Sequence, residues 1–425
     1  MFALRFSHWL QRRGWHYSWV IVTVTFLTAL TSSAALGLPG ALLQPLSREF
    51  GWDVEQISSA LAIRFVLFGL MGPFAAILME RFGLRAVVVT ALSLVAGGMA
   101  LATVMTQFWH LILFWGIMLG IGSGMTALVF SAVVSNRWFD SHRGLVVGVL
   151  TASSATGQLI FLPVGAWLIE HVGWRLAVLP VFVACALVAL LVWAFMRNRP
   201  NEVGLAPYGA APGTPVAPLA PPMHVTFATP FQVLASVAGQ RVFWILFGTF
   251  FICGLSTNGL IQTHFISLCG DAGMGAVPAA SVLAMMGAFD LVGTIGSGWL
   301  SDRYDNRKLL LIYYGLRGLS LFWLPYSEFT FYGLSLFAMF YGLDWIATVP
   351  PTVRLVATTF GKERAGMVFG WVFAAHQLGA AVAAWGAGRV RTLLLTYNPA
   401  LSAAGAACLV AAALVMTIRR RPRQD

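Results

Sequence analysis

Four ionisable side chains, Arg64, Asp290, Arg317 and Asp344, stand inside stretches that are otherwise apolar. On insertion scales a charge deep in a bilayer costs at least about 2.5–3.5 kcal/mol, so each must face a partner or a water-filled cavity. A guanidinium holds a carboxylate through two parallel hydrogen bonds. Arg64 is therefore a candidate for a substrate carboxylate, and the other reading has it tie down backbone carbonyls. A carboxyl in an apolar cavity beside an arginine can trade a proton against an arriving anion. Asp290 with Arg317 is the candidate for that proton coupling; a permanent Asp290–Arg317 or Asp344–Arg317 ion pair is the structural alternative. Gln158, Asn258, Gln262, Asp344 and His376 complete the candidate substrate set. Histidine titrates near neutral pH and could relay protons or bind substrate, but a neutral buried ring with one hydrogen bond is the commoner outcome. Buried amides also hold helices together.

Other chemistry is absent from the sequence. There is no His-Glu-x-x-His, no Gly-x-Ser-x-Gly and no spaced Cys/His set, so neither an enzyme nor a metal or organic cofactor is expected. Cys185, Cys253, Cys269 and Cys408 are scattered and read as small packing residues. Gly120-x-Gly122-x-Gly124 lacks the strand–turn–helix setting of a dinucleotide loop; with Gly116 it gives a small-residue face for close helix approach.

The elements that must position these residues follow from composition. The chain is 59% hydrophobic and 10% charged, with a mean hydropathy of +0.80, against roughly 25% charged residues in soluble domains. About 20 apolar residues of helix cross a bilayer core, and twelve such runs are present, from 17–37 to 398–418. Lipid offers the backbone no hydrogen-bond partners, so the runs must be helices. With both termini on one side, the other side holds only Arg48, Arg175, Arg389 and Arg391 of the basic loop residues. The positive-inside rule then puts both termini in the cytoplasm of a cell inner (plasma) membrane. That asymmetry also accounts for the net charge of +11 without a nucleic-acid partner. No cleavable signal peptide is expected, since the first run is full length and lacks a small-residue cleavage site. Prolines between 197 and 240 read as an extended, mobile linker joining residues 1–196 to residues 241–425.

A charged hinge recurs between apolar runs. Asp302, Arg303 and Arg307 repeat Glu80, Arg81 and Arg85 at an offset of 222 residues, and Gly370 and Gly379 repeat Gly148 and Gly157 at the same offset. A repeat of this kind fixes the architecture as two copies in the same orientation.

The hinge Gly298-x-x-x-Asp302-Arg303-x-x-x-Arg307, with its first copy Glu80-Arg81-x-Gly83-x-Arg85, resembles the signature loop of the major facilitator superfamily of transporters. Ala76 and Asp305 stand where that loop has glycines. Arg137 to Gly144, Gly173 to Arg175 and Arg199 to Leu205 look like the monocarboxylate and oxalate–formate branch. The resemblance implies an all-α membrane fold of twelve transmembrane helices in two pseudo-symmetric six-helix bundles. It further implies alternating access about a midplane site. It implies that Glu80, Arg81, Arg85, Asp302, Arg303 and Arg307 form a gating latch, and that Asp290 matches an aspartate of the eighth helix in that branch. The partner arginine of that aspartate is Thr294 here, and the first helix lacks the branch's substrate-linked lysine. The expected function is a monomeric, proton-coupled carrier of a small organic anion, in contact with membrane lipid. An efflux carrier for hydrophobic or cationic compounds, or a transporter-like sensor, is the alternative.

Overall fold

The computed structural model describes residues 2–211, 216 and 226–419; side chains are not described at 2, 3, 128, 151, 154–156, 158, 159, 362 and 363. Gln158 therefore falls outside the described side chains. In chain order the helices are α1 (Phe2–Gln11), α2 (Ser18–Phe50), α3 (Val54–Phe82), α4 (Leu84–Ala102), α5 (Phe108–Trp138), α6 (Arg143–Val172) and α7 (Trp174–Phe195). They continue with α8 (Thr229–Ala238), α9 (Arg241–Asp271), α10 (Ala276–Arg303), α11 (Asn306–Trp323), α12 (Phe331–Phe360), α13 (Arg364–Leu394) and α14 (Asn398–Met416). Ten of these are long and apolar enough to cross a membrane; α6 and α11 correspond to the two other apolar runs. No strand occurs among the described residues.

Helices α2 to α7 and helices α9 to α14 form two halves, and their packing repeats with the sequence. Gly157 of α6 lies against the Leu30 carbonyl of α2, and Gly379 of α13 lies against the Phe251 carbonyl of α9. Gly120 of α5 meets the Arg64 carbonyl of α3, and at the same 222-residue offset Gly342 of α12 meets the Met286 carbonyl of α10. In each case a side chain would force backbones apart, which is how small residues drive helix association where water offers no hydrophobic push.

One face of the bundle carries both chain ends. There the Tyr17 hydroxyl donates to the Phe195 carbonyl at 2.6 Å, and Arg307 Nη1 donates to the Ile418 carbonyl at 2.7 Å. On the opposite face the halves are sealed against each other. Gly40 of α2 abuts the Gln262 and Thr263 carbonyls of α9, and the Glu55 N–H of α3 donates to Thr392 Oγ1 of α13 at 3.2 Å. Glu55 also lies 3.9 Å from Arg389. On the terminal face the ends of α5 and α12 pack within their own halves, and Gly144 and Gly148 of α6 and Gly296 and Gly298 of α10 have open space beside them.

The segment expected to be an extended linker differs from that expectation at its end. Residues 229–238 form α8, begun by Pro230 at the first turn, where its missing N–H costs nothing. Trp371 Nε1 donates to the Pro230 carbonyl at 2.9 Å, and Phe231 lies between Phe74 of α3 and Trp371 of α13. Burial of Val237 against α9 and α13 supplies the stabilisation that composition alone does not reveal.

The close approach at Gly379 gives a direct expectation. Gly379→Val should destabilise the protein by about 1–3 kcal/mol, the usual cost of overpacking, seen as a lower thermal unfolding midpoint in detergent. Gly366→Ala, with nothing within 4 Å of the added carbon, should leave that midpoint unchanged or raise it.

Candidate functional site

The buried charges of the second half gather around a break in α12. Helix runs to Asp344 and resumes at Val349. Pro350 and Pro351 explain the break: without N–H groups they cannot bond the Ile346 and Ala347 carbonyls four residues back, and their rings crowd them. In lipid every freed backbone group needs another partner. Arg317 Nη2 of α11 donates to the Asp344 carbonyl at 2.5 Å and to the Trp345 carbonyl at 3.2 Å. Val349 N–H reaches the Ile346 carbonyl at 2.8 Å, and Ser297 Oγ of α10 donates to the Ala347 carbonyl at 2.5 Å. The Ile346 N–H donates to Asp290 Oδ1 of α10 at 2.9 Å.

This arrangement decides which carboxylate Arg317 meets. Its Nε donates to Asp344 Oδ2 at 2.7 Å, both side chains being nearly inaccessible. Asp290 instead accepts from Ile346 N–H and from Thr294 Oγ1 at 3.0 Å. No arginine, lysine or histidine lies within ion-pair distance of it among the described residues. Of the two pairings open in the sequence, the structure contains Asp344–Arg317. Asp344 Oδ1 has no hydrogen-bond partner among the described residues.

Cys253, expected as a small packing residue, makes polar contacts as well. Its sulfur lies 3.0 Å from Arg317 Nη1 and 3.3 Å from Thr348 Oγ1. It thus joins α9, α11 and α12. His376 stacks on Phe373 at 5.9 Å between ring centres, and its Nδ1 is 3.3 Å from Gln377 Nε2. Asn258 and Gln262 are half-buried on a stretch of α9, Leu255–Gln262, wound with one extra residue per turn; Thr263 Oγ1 caps the freed Asn258 carbonyl at 2.8 Å. Neither the Cys253 contacts nor the Ser297 bond carries a sequence pattern. The α12 break did have a signal, Pro350-Pro351 six residues after a polar Asp344.

The first half holds one deeply buried charge. Arg64 is 2% exposed, donates from Nη1 to the Leu36 carbonyl at 3.1 Å and lies over the Phe65 ring at 4.7 Å. Its Nε has no partner, and no carboxylate pairs with it among the described residues.

The hinge residues sit at the terminal face, and both hinge carboxylates, Glu80 and Asp302, pair with an arginine of their own half. Glu80 binds Arg137 and, at 3.3 Å, Arg199; Asp302 binds Arg354; Arg307 binds Asp305 at 2.6 Å. Arg303 lies over Trp299 and Arg81 over Phe227, while Arg85 has no carboxylate within ion-pair distance among the described residues.

Comparison with known proteins places these features. The family profile described as Major Facilitator Superfamily matches residues 22–384. The uncharacterized MFS-type transporter YcxA of Bacillus subtilis (strain 168) is 24% identical over 381 residues, covering 87% of each chain. Monocarboxylate transporter 13 of Bos taurus is 26% identical over 407 residues, covering 95% of this chain and 89% of its own length. Among solved structures, a D-xylose–proton symporter superimposes with a TM-score of 0.71 at 14% identity, over 94% of this chain and 98% of that one.

Removing one partner from a buried ion pair strands the other. Arg317→Met should therefore lower stability by about 3–5 kcal/mol, and Asp344→Asn, which keeps an acceptor oxygen for Arg317, by less. Thermal unfolding of the purified variants orders the two; equal midpoints would contradict this account of the α12 break.

Proposed function

The chain belongs to the major facilitator superfamily, a family of membrane transporters and not of enzymes, and from that premise we propose that it carries a small organic monoanion together with a proton. The observation that carries the reading is the distribution of buried charge. Among the described residues Arg64 stands without a carboxylate in one half, and Asp290 without a basic partner at ion-pair distance in the other, while Arg317 and Asp344 are paired with each other. Buried charges are tolerated when they balance. Arg64 and Arg317 against Asp290 and Asp344 make a neutral set; an arriving monoanion upsets it, and one proton restores it. Arg64 then receives the substrate carboxylate through its unused N–H groups, Asp290 takes the proton, and Asp344, His376, Asn258, Gln262 and Gln158 are proposed to line the path. Similarity over 95% of the chain to a relative named as a monocarboxylate transporter supports this substrate class.

The proposed mechanism is alternating access, with the two halves rocking about the charged layer. The sealed face at Gly40 and Glu55 and the open glycine faces at the other end support a form open toward the termini. By the positive-inside rule that side is the cytoplasm, and the protein is a monomeric inner-membrane carrier. Glu80, Arg81, Arg85, Asp302, Arg303 and Arg307 are the proposed gate at its mouth. The ion pairs that would cross between halves in the opposite form are spent within each half here. A second reading rests on Asp290 alone. A carboxylate without a basic partner also suits a cationic compound, which would make the protein an efflux carrier.

Uptake into proteoliposomes decides between them. A panel of monocarboxylates should enter faster when the outside is acidified, and uptake should not respond to an imposed membrane potential. Transport of a cationic dye with no acid transported would reverse the substrate class. Asp290→Asn should abolish acid-driven uptake while exchange of labelled for unlabelled substrate continues. Arg64→Gln should raise KM about 10- to 100-fold, the worth of a charged hydrogen bond. Asp302→Asn should slow turnover in protein that inserts normally; unchanged turnover would remove it from the gate.

A further inference from the structure

Away from the buried charges, α1, α4 and the segment just after α7 meet at the terminal face. A cavity of about 380 Å³ is lined by Arg85, Arg197, Asn198, Glu202, Leu4 and Phe82, among others. Its polar wall is braced from within. Asn198 Oδ1 accepts from the Arg85 N–H at 3.2 Å, and Glu202 accepts from Asn198 Nδ2 at 2.9 Å and from its N–H at 3.1 Å. Arg197 spends one N–H on the Met196 carbonyl at 2.6 Å. The remaining guanidinium donors of Arg85 and Arg197 are thus held at the cavity without a carboxylate of their own among the described residues.

We propose that this cavity binds the phosphodiester headgroup of a membrane phospholipid, gripped between Arg85 and Arg197 with its acyl chains leaving over Leu4 and Phe82. Three observations carry it. Two arginines and one glutamate leave the lining with a single net positive charge, which matches a phosphodiester monoanion and is a poorer match for inorganic phosphate, partly dianionic at neutral pH. The outer rim is apolar and exposed: Phe82 is 56% and Leu4 41% accessible, as surfaces in contact with lipid are. The depth is right. Trp193, one turn before Arg197 on α7, is exposed, and exposed tryptophans mark the headgroup layer. Basic pockets between membrane helices are where phosphate headgroups settle.

The test uses full-length protein in detergent, with retained phosphatidylglycerol counted by native mass spectrometry. Arg85→Gln/Arg197→Gln should retain at least tenfold less of it than the wild type, while Arg12→Gln, which removes a nearby exposed charge outside the cavity, should match the wild type. Should the double variant fail to fold, the two single variants give the same readout, each with a smaller loss. Equal retention by wild type and variants would overturn the site. Equal retention of dioleoylglycerol, which has the tails and no phosphate, would overturn the phosphate assignment. Displacement of the lipid by excess inorganic phosphate would make it a free-oxyanion site and overturn the lipid one. None of these outcomes depends on what the protein transports.

Discussion

An interrupted helix in an apolar medium must have every freed backbone group bonded, and the second half of this protein is arranged around that demand. Pro350 and Pro351 open α12, and the groups set loose between Asp344 and Ala347 are taken up by Arg317, Ser297, Asp290 and Val349. Arg317 cannot move without exposing two carbonyls and a carboxylate. Asp290 cannot move without stranding an N–H. The charged layer is therefore a mechanical part of the fold. Any change of charge at Asp290 is felt directly by the backbone of α12.

The repeat shows what this cost the second half. At the 222-residue offset, Asp344 and Arg317 occupy the places of Gly122 and Val95, which pack against each other, and Asp290 that of Phe68. The first half has its own interruption in α5, at Thr126, the counterpart of Thr348. There Thr126 Oγ1 turns back to the Ser123 carbonyl at 3.2 Å and meets Ser32 Oγ at 3.2 Å, so a local hydroxyl does what an arginine does in the other half. One half holds its break with neutral groups and carries the isolated Arg64; the other holds its break with ions. The two faces of the site are thus electrically unlike although their backbones repeat.

The terminal face is built on the same economy. Each hinge carboxylate finds an arginine within its own half, and the halves are linked there by α8 seated between Phe74 and Trp371. Contacts between the halves run along α3 and α13, from Gly388 beside Ser58 to Trp371 beside Phe74.

Periodicity, hydropathy and the 222-residue echo were enough to fix an all-helical membrane protein of two related halves, because lipid leaves the backbone no other choice. They also singled out Arg64, Asp290, Arg317 and Asp344, because a charge within an apolar run stands out in any sequence. What they left open was pairing. Whether Arg317 meets Asp290 or Asp344 depends on which rotations α10, α11 and α12 adopt, and those are set by the contacts at Gly293 and Gly342 and by the break after Asp344. Cys253, Ser297 and Thr348 were invisible for the same reason: small polar residues acquire meaning only from what faces them. The helix at 229–238 was hidden by its prolines and exists because tertiary burial outweighs weak local preference. Sequence determined which groups the membrane must accommodate; only packing decided which of them accommodate one another.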